Sequence, residues 1–347
     1  MHKVIRSRSG PPKVTLEQVA EHAGVSPSTV SRILNGTADV SEEKRAVVAK
    51  AIARLGFVPN PVARGLAGGR TLSIGVITQA IDSPFYGAAL HGIEAALGAA
   101  GYSPLFVSGR WHAEEEARCI DVLRSRRVDG IIILTGRLSD SALRTLARSL
   151  PVVVTGRRLK AANLVSLDFD HREGARLATQ HLIALGHRRI AFIGGVAEHP
   201  DAVEREQGYR EALEAAGLKP DPALVAAGAF TEHSGLQAVE GLMASRVRFS
   251  AVFAANDQMA IGAALALYRR GRRVPDDVSL VGFDDVAGSM YAVPPLTTVH
   301  NPIQEIGGLA AQAMLALLAG ERPEAAVPAP RLIVRESTRQ AGPAPAA

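Results

Sequence analysis

Residues 15–35 read TLEQVAEHAGVSPSTVSRILN, and this stretch decides how the chain begins to fold. Its spacing predicts two short helices broken by a tight turn at Ala23-Gly24-Val25. Thr15 supplies a capping hydroxyl, and Gln18, three residues on, is placed to complete a capping box. Ser26 followed by Pro27 is a second helix start, a hydroxyl cap before a proline at the first helical position. Gly24 lets the turn take a positive φ. Leu16, Val19 and Ala20 form one apolar stripe, and Val25, Val30 and Leu34 supply facing positions. What remains on the second helix is Ser28, Thr29, Ser31, Arg32 and Asn35. Short hydroxyls and amides bond phosphates, and an arginine suits a guanine edge. The pattern is that of a helix-turn-helix DNA reader.

The charge distribution agrees with it. Residues 1–70 hold 11 Lys and Arg against 5 Asp and Glu, whereas residues 71–347 hold 28 against 29. The basic excess therefore sits entirely on the segment with the helix-turn-helix, where each neutralised phosphate would release counterions; a solvated basic tail is the plainer alternative. Residues 1–14 read as a basic arm. A third helix is predicted from Ser41, with Glu42 and Glu43 suiting its positive dipole end and Gly56 stopping it, so that residues 15–58 make an all-α headpiece. PNPVARGLAGGR, residues 59–70, reads as a linker or a hinge helix that needs a partner to order it.

From Ser73 the pattern changes. SIGVIT (73–78), SPLFVS (103–108), DGIIIL (129–134), PVVVT (151–155), RIAFIGG (189–195), SAVFAA (250–255) and VSLVGF (278–283) are strand candidates separated by helical segments. Short apolar runs alternating with helices predict parallel sheets covered on both faces. The strands are too many for one sheet of this spacing, so residues 71–340 are expected to form two doubly wound parallel-sheet lobes. The first takes about 71–170 and 302–328, the second about 171–301 and 329–340, and 341–347 form a tail. In such folds ligands bind outside the carboxyl ends of the strands.

Other classes find little support. No nucleophile elbow, P-loop, Cys–His zinc spacing or GxGxxG after a strand occurs. Asp168-Phe169-Asp170-His171 and the Asp284-Asp285 pair are the nearest approach to a catalytic or metal-binding set, so neither an enzyme, a metal nor a cofactor is expected. Cys119 is the single cysteine, which rules out an intrachain disulfide and reads as a buried structural thiol. No apolar run is long enough for a membrane span. The first residues lack the apolar core of a secretory signal, so the cytoplasm is the expected compartment.

Several segments together resemble the LacI/GalR family of bacterial transcription repressors. They are TLEQVAEHAGVSPSTVSRILNG, VSEEKR, LGFVPNPVARGLAGGRT, RVDGIII, HLIALGHRRIAFIGG, GYREALEAAGL, AVFAANDQMAIGA, VPDDVSLVGFDD, PPLTTVHNP and RLIVRES, in the family's order over roughly residues 14–338. The resemblance implies a periplasmic-binding-protein-like core and a homodimer, or a tetramer, on a near-palindromic operator. Pro27, Ser28 and Arg32 match base-reading positions. Ala63 and Leu66 match base-contacting hinge positions, with Leu66 as a wedge between base steps in the minor groove. The alternatives are a phosphate contact for Arg32 and an ordinary linker residue at Leu66. Thr15, Ser26, Thr29, Ser31, Asn35, Ser41 and Asn60 match phosphate contacts, three of them (Thr15, Ser26, Ser41) doubling as helix caps. Pro27 has no donor and Ser28 pairs with several bases, so a relaxed half-site is expected.

The resemblance also implies a small effector, a sugar or a sugar acid, between the lobes. Arg205, Asn256 and Asp284 match effector-binding positions, and Asn301 replaces a polar one near the cleft. Ser83, Phe85 and Tyr86 follow the first core strand, and with Phe230 they offer polar and flat apolar faces for a sugar ring. Core packing is the alternative for Phe230, a helix cap for Asp257 and a turn for Asp285. Some sugar-responsive members carry a carboxylate after the fourth strand. Here that segment reads VVVTGRRLK. Arg137, Arg157 and Arg158 near strand ends leave open an anionic effector, or simply a solvated surface. A sugar-binding protein without a DNA role shares the two-lobed core, but the headpiece argues against it.

Overall fold

Thr15 accepts from the Gln18 backbone and the Gln18 side chain bonds back to the Thr15 N–H, a complete capping box that starts α1 (Leu16–Ala23). Gly24 ends it at φ 64°, a conformation that costs other L-residues about 1–2 kcal/mol. Ser26 accepts from the Thr29 N–H at 3.2 Å and starts α2 (Pro27–Asn35). Ser41 departs from expectation: it precedes α3 (Glu42–Leu55) without a side-chain capping bond, leaving Glu42 and Glu43 to face the helix dipole. Val19, Val30 and Val48 are wholly buried at the centre of these three helices, with Leu16, Val25 and Leu34 packed around them. Thr15→Ala should cost about 1 kcal/mol locally. In the intact protein that is about fivefold faster hydrogen exchange of the α1 amides; unchanged exchange would mean that the cap holds nothing.

The computed structural model describes residues 14–35, 40–57, 70–323 and 326–342. They divide into two units, one ending at Leu72 and the other beginning at Ser73. The second unit holds two sheets. Strands β1 (Ser73–Thr78), β2 (Ser103–Ser108), β3 (Gly130–Ile133), β4 (Val152–Thr155) and β5 (Leu164–Leu167) form an all-parallel sheet in the order β2-β1-β3-β4-β5. Strands β6 (Ile190–Ile193), β7 (Val225–Ala226), β8 (Ala251–Ala254), β9 (Ser279–Asp284), β10 (Thr297–His300) and β11 (Arg331–Ile333) form the other, in the order β11-β10-β9-β8-β6-β7, with only β11 antiparallel to its neighbour. The α/β core of two parallel-sheet lobes is thus present.

Helices α4 (Pro84–Ala99), α5 (Ala113–Ser125) and α6 (Asp140–Ala147) belong to the first sheet, and α7 (His171–Ala184), α8 (Pro200–Ala215), α9 (Glu232–Ala244) and α10 (Asp257–Arg269) to the second. The last helix, α11 (Ile303–Ala319), follows β10 of the second sheet but packs on α4 and on β3, β4 and β5 of the first. The chain therefore crosses between lobes after β5, after β10 and again before β11. Strands β5, β7, β10 and β11 were not expected from the sequence. They are two to four residues long, and β10 is a polar TTVH whose Thr297 and Thr298 are fully buried. Their hydroxyls are satisfied, Thr298 donating to Asp257 and Thr297 accepting from the Arg335 N–H, which is what lets them lie in a core.

Candidate functional site

On the headpiece, α2 turns Val30 into the core and leaves Pro27, Ser28 and Arg32 exposed and Ser31 half-exposed. These are one helical face, at i, i+1, i+4 and i+5. Ser26 gathers three partners: the Thr29 N–H, the Ser28 hydroxyl at 2.9 Å and the Thr29 hydroxyl at 2.8 Å. Arg32 Nε donates to the Ser28 carbonyl at 3.3 Å, which lays the guanidinium along the exposed face. Thr15 and Ser41 are exposed at the starts of α1 and α3. The side chain of Asn35, and the whole of Asn60, Ala63 and Leu66, lie outside the described residues.

In the second unit the carboxyl ends of β1, β6, β8 and β9 meet around a cavity of about 370 Å³. Ser83, Phe85, Tyr86, Arg205, Phe230, Asn256 and Asp284 all line it. Arg205, on α8 and 2% exposed, is the centre of its polar wall. Its guanidinium donates to Asp284 at 3.0 Å, to the Ala255 carbonyl and, at 3.2–3.3 Å, to His171 Nδ1, and it stacks 3.8 Å from the Phe283 ring. Because His171 Nδ1 accepts, the ring must be neutral there. Burial and the neighbouring guanidinium enforce this, pushing the imidazole down to about 3 despite Asp201 beside it. Burial likewise holds the Asp284 carboxyl above the ordinary carboxylate range, against the pull of Arg205.

Asn256 both caps α10, accepting from the Met259 N–H at 2.9 Å, and donates to the Phe230 carbonyl at 3.0 Å. The cap is thus Asn256 and not Asp257. Asp257 is wholly buried behind the cavity, accepting from the Val286 N–H and from the Ser289 and Thr298 hydroxyls. Burial and the Asp284 charge nevertheless push it up to about 7. Asn301 does not reach the cavity wall. It is buried beside Asp284, with its N–H on the Asp284 carbonyl at 3.3 Å. Asp285 does more than turn the chain: it pairs with Arg335 at 2.6 Å and His300 at 2.8 Å. Phe230 lines the cavity as well as packing, its ring set against Gly195. Asp284, Asp285, Phe230 and Trp111 all have positive φ, each a strain of order ~1–3 kcal/mol of the kind that collects at ligand sites.

The cations near strand ends are arranged differently from expectation. Arg157 is built into the loop after β3, donating to the Gly136 and Leu138 carbonyls, and Arg158 pairs with Asp168 at 2.5 Å; neither lines the cavity. Arg137 does, but it is held by Glu198 at 2.7 Å. Against it and Arg205 stand four lining carboxylates, Asp82, Asp201, Glu232 and Asp284. Of the three arginines only Arg137 lies at the cavity, where carboxylates outnumber arginines four to two. The sequence reading also missed Trp111, His199, Asp201 and Gln258, which line the cavity. Trp111 follows β2 and His199 follows β6, so the strand-end rule, applied to every strand, would have reached both. His199 caps α8 with Nδ1 accepting from the Asp201 N–H at 3.2 Å, and burial pushes it down to about 3. Cys119 is half-buried rather than fully buried as expected, its thiol donating to the Ser108 carbonyl and its pKa raised by burial. Among the described residues no group of His, Cys, Asp and Glu is placed to hold a metal, and no helix is long and apolar enough to cross a membrane.

Residues 15–60 match the family model for bacterial regulatory proteins of the lacI family, and residues 179–338 match a periplasmic binding protein-like domain. The HTH-type transcriptional regulator CelR of Thermobifida fusca is 39% identical over 333 residues, 93% of this chain and 98% of that protein. The lac repressor dimer bound to operator and the anti-inducer ONPF is similar at a TM-score of 0.83 and 31% identity, covering 94% of this chain and all of that one. A complex of the transcriptional regulator CelR with cellobiose is similar at 0.68 and 37%, with the same coverage.

Proposed function

This chain belongs to the LacI family of bacterial regulatory proteins and is a DNA-binding transcriptional regulator, and on that premise we propose that it is a repressor governed by a neutral carbohydrate bound between its core lobes. The observation that carries the reading is the cavity wall itself. Arg205, Asp284 and Asp201 offer donors and acceptors side by side, in the same lining as the rings of Tyr86, Trp111 and Phe230. Polyhydroxylated rings need both. The surplus of carboxylates favours a neutral sugar over a sugar acid, and no step in this reading asks for catalysis.

Control follows from linkage. Ser83 on Gln258 at 3.5 Å, Trp111 on His199 and Arg137 on Glu198 bridge the lobes across the cavity mouth. They belong to one closure, and a ligand changes operator affinity only by binding one closure better than another. A second copy of the chain completes the reader. The stripe Ile261, Leu265 and Tyr268 on α10, with Tyr291 and Val293 nearby in sequence to β9 and β10, is exposed and apolar, which supports self-association on a near-palindromic operator.

Selection of binding sites from random DNA, followed by titration of the complex with neutral sugars and their acids, tests the whole reading. The expected outcome is a two-fold-symmetric site whose occupancy a neutral sugar changes and its acid does not. Tight sugar binding with no DNA binding at low salt would replace it with a plain sugar-binding role. On the selected site, Arg32→Ala should lose about 1–3 kcal/mol of discrimination at one base pair. Thr29→Val should weaken specific and random DNA alike. Equal losses for Arg32→Ala on both would assign it to phosphate.

A further inference from the structure

Strands β9, β8, β6 and β7 lie side by side and parallel. The segments that lead into them therefore share one rim, at the opposite end of the sheet from the cavity. Arg188 and Arg189 precede β6, and Lys219 precedes β7. Arg246 and Arg248 precede β8, and Arg270, Arg272 and Arg273 precede β9. Arg339 joins them from the C-terminal segment. Buried His187 ties four of these five segments together: Nδ1 meets Ser250 Oγ at 2.9 Å, and Nε2 meets Ser279 Oγ at 3.0 Å and the Arg339 carbonyl at 3.1 Å. Arg189 adds the fifth, pairing with Asp221 before β7 at 3.4 Å and donating to the Arg248 carbonyl at 2.7 Å.

These nine cations are all exposed. The same segments hold three acids, on a unit whose residues 71–347 carry 28 basic against 29 acidic. Each acid is already engaged. Asp221 is held by Arg189, Asp276 by Arg339 at 2.8 Å, and Asp277 by the Arg273 N–H at 2.8 Å. Among the described residues this leaves Arg188, Lys219, Arg246, Arg248, Arg270 and Arg272 without a carboxylate in reach. Helix ends account for part of the surplus. Helices α7, α8, α9 and α10 all finish at this rim, each C-terminus carrying about half a negative charge. Arg188 answers α7 directly, donating to the Ile183 carbonyl at 3.0 Å. In the last turns Glu214 and Arg269 balance one another. Four dipole ends offset about two charges of a surplus of six, and about four remain.

The chemistry of the rim narrows its partner. None of the large apolar side chains exposed among the described residues lies in these segments. A protein would find no apolar centre to cover, and a lipid surface nothing inserted into it. All but one of the nine are arginines, whose planar forks pair phosphate oxygens two at a time. Four strands make the rim about 15 Å wide, a span over which duplex DNA presents about nine phosphates. We propose that this rim is a sequence-independent contact for the phosphate backbone of duplex DNA, additional to the headpiece. It rests on the chain being a DNA-binding regulator and is independent of what the cavity binds.

Arginine modification by phenylglyoxal tests it on the full-length protein, read residue by residue by mass spectrometry at about 0.1 M salt. With a random-sequence duplex present, Arg246, Arg248, Arg270 and Arg272 should react at least about fivefold more slowly. Arg144 and Arg322, exposed elsewhere, should be unchanged, and Arg32 should be protected as the report from the headpiece. Polyglutamate and phosphatidylserine vesicles serve as comparison arms. Protection of the rim by either that equals protection by DNA would overturn the assignment in favour of an acidic protein or a membrane. Calorimetry with a random duplex of about one helical turn, ten base pairs, should show about two duplexes per native chain. The variant carrying Arg246→Gln, Arg248→Gln, Arg270→Gln and Arg272→Gln should take up about one. Protection of Arg32 alone, or one duplex per chain in both proteins, would overturn the proposal with the headpiece reading intact. No protection at either place would overturn both.

Discussion

Arg205→Leu should abolish the response to the cleft ligand while leaving operator binding in place. The guanidinium is the one group that touches Asp284, the Ala255 carbonyl, His171 and the Phe283 face together. Removing one partner of a buried, hydrogen-bonded charge pair costs about 2–5 kcal/mol, or roughly 30-fold to more than a thousandfold in affinity. Much of that penalty is the Asp284 carboxylate left buried without its partner, so the core unit should also lose about 3–5 kcal/mol of stability. Arg205→Leu, Asp284→Leu removes both charges and should recover much of the stability but none of the ligand affinity. Calorimetry and urea unfolding of the two variants separate the effects. A single variant that binds ligand as the native chain does would remove Arg205 from the site.

The second large effect is expected at Gly262→Ala. Helices α9 and α10 pack so closely that a Cβ on Gly262 would stand 1.8 Å from the Glu232 carbonyl oxygen, which is backbone and cannot swing aside. The helices must separate, and overpacking of this kind costs about 3 kcal/mol. Glu232 and Thr231, at the start of α9, line the cavity beside Phe230, so ligand affinity should fall with stability. Gly241→Ala on the same helix α9 is the control. It has nothing within 4 Å of its added Cβ and should stabilise the helix by up to about 1 kcal/mol. Urea midpoints that move in the same direction for both would refute the packing argument.

The headpiece was legible because its signals are local. Thr15 with Gln18, Gly24, and Ser26 before Pro27 each act within four residues. The strands read correctly were continuous apolar runs such as GIII and VVVT. The strand TTVH could not be read that way, because its burial depends on Asp257 and Arg335, 41 and 38 residues away. The same limit applies to the site. Residues directly after β1, β8 and β9 were found because loop and strand adjoin. The cap expected of Asp257 falls to Asn256, which also lines the cavity, because capping and burial turn on one residue of register. Asn301 matched a motif but faces Asp284 from behind, a direction that spacing does not encode. Trp111 follows β2 and lay within reach of the strand-end rule; what GRWHAEEE does not reveal is that Gln79, 32 residues earlier, holds its backbone.

The three crossings between lobes set an order of events during synthesis. The headpiece helices are complete at Leu55, but the first lobe waits for α11 at 303–319 to cover it. At about 5–20 residues per second, a growing chain carries a finished DNA-binding unit for roughly ten seconds or more before any sensor exists. Translation broken off after β9 would therefore release the headpiece on an incomplete core, without α11 and without Tyr291 and Val293 of the exposed apolar stripe. Neither lobe can be excised, duplicated or exchanged as one continuous piece of gene, whereas the headpiece can.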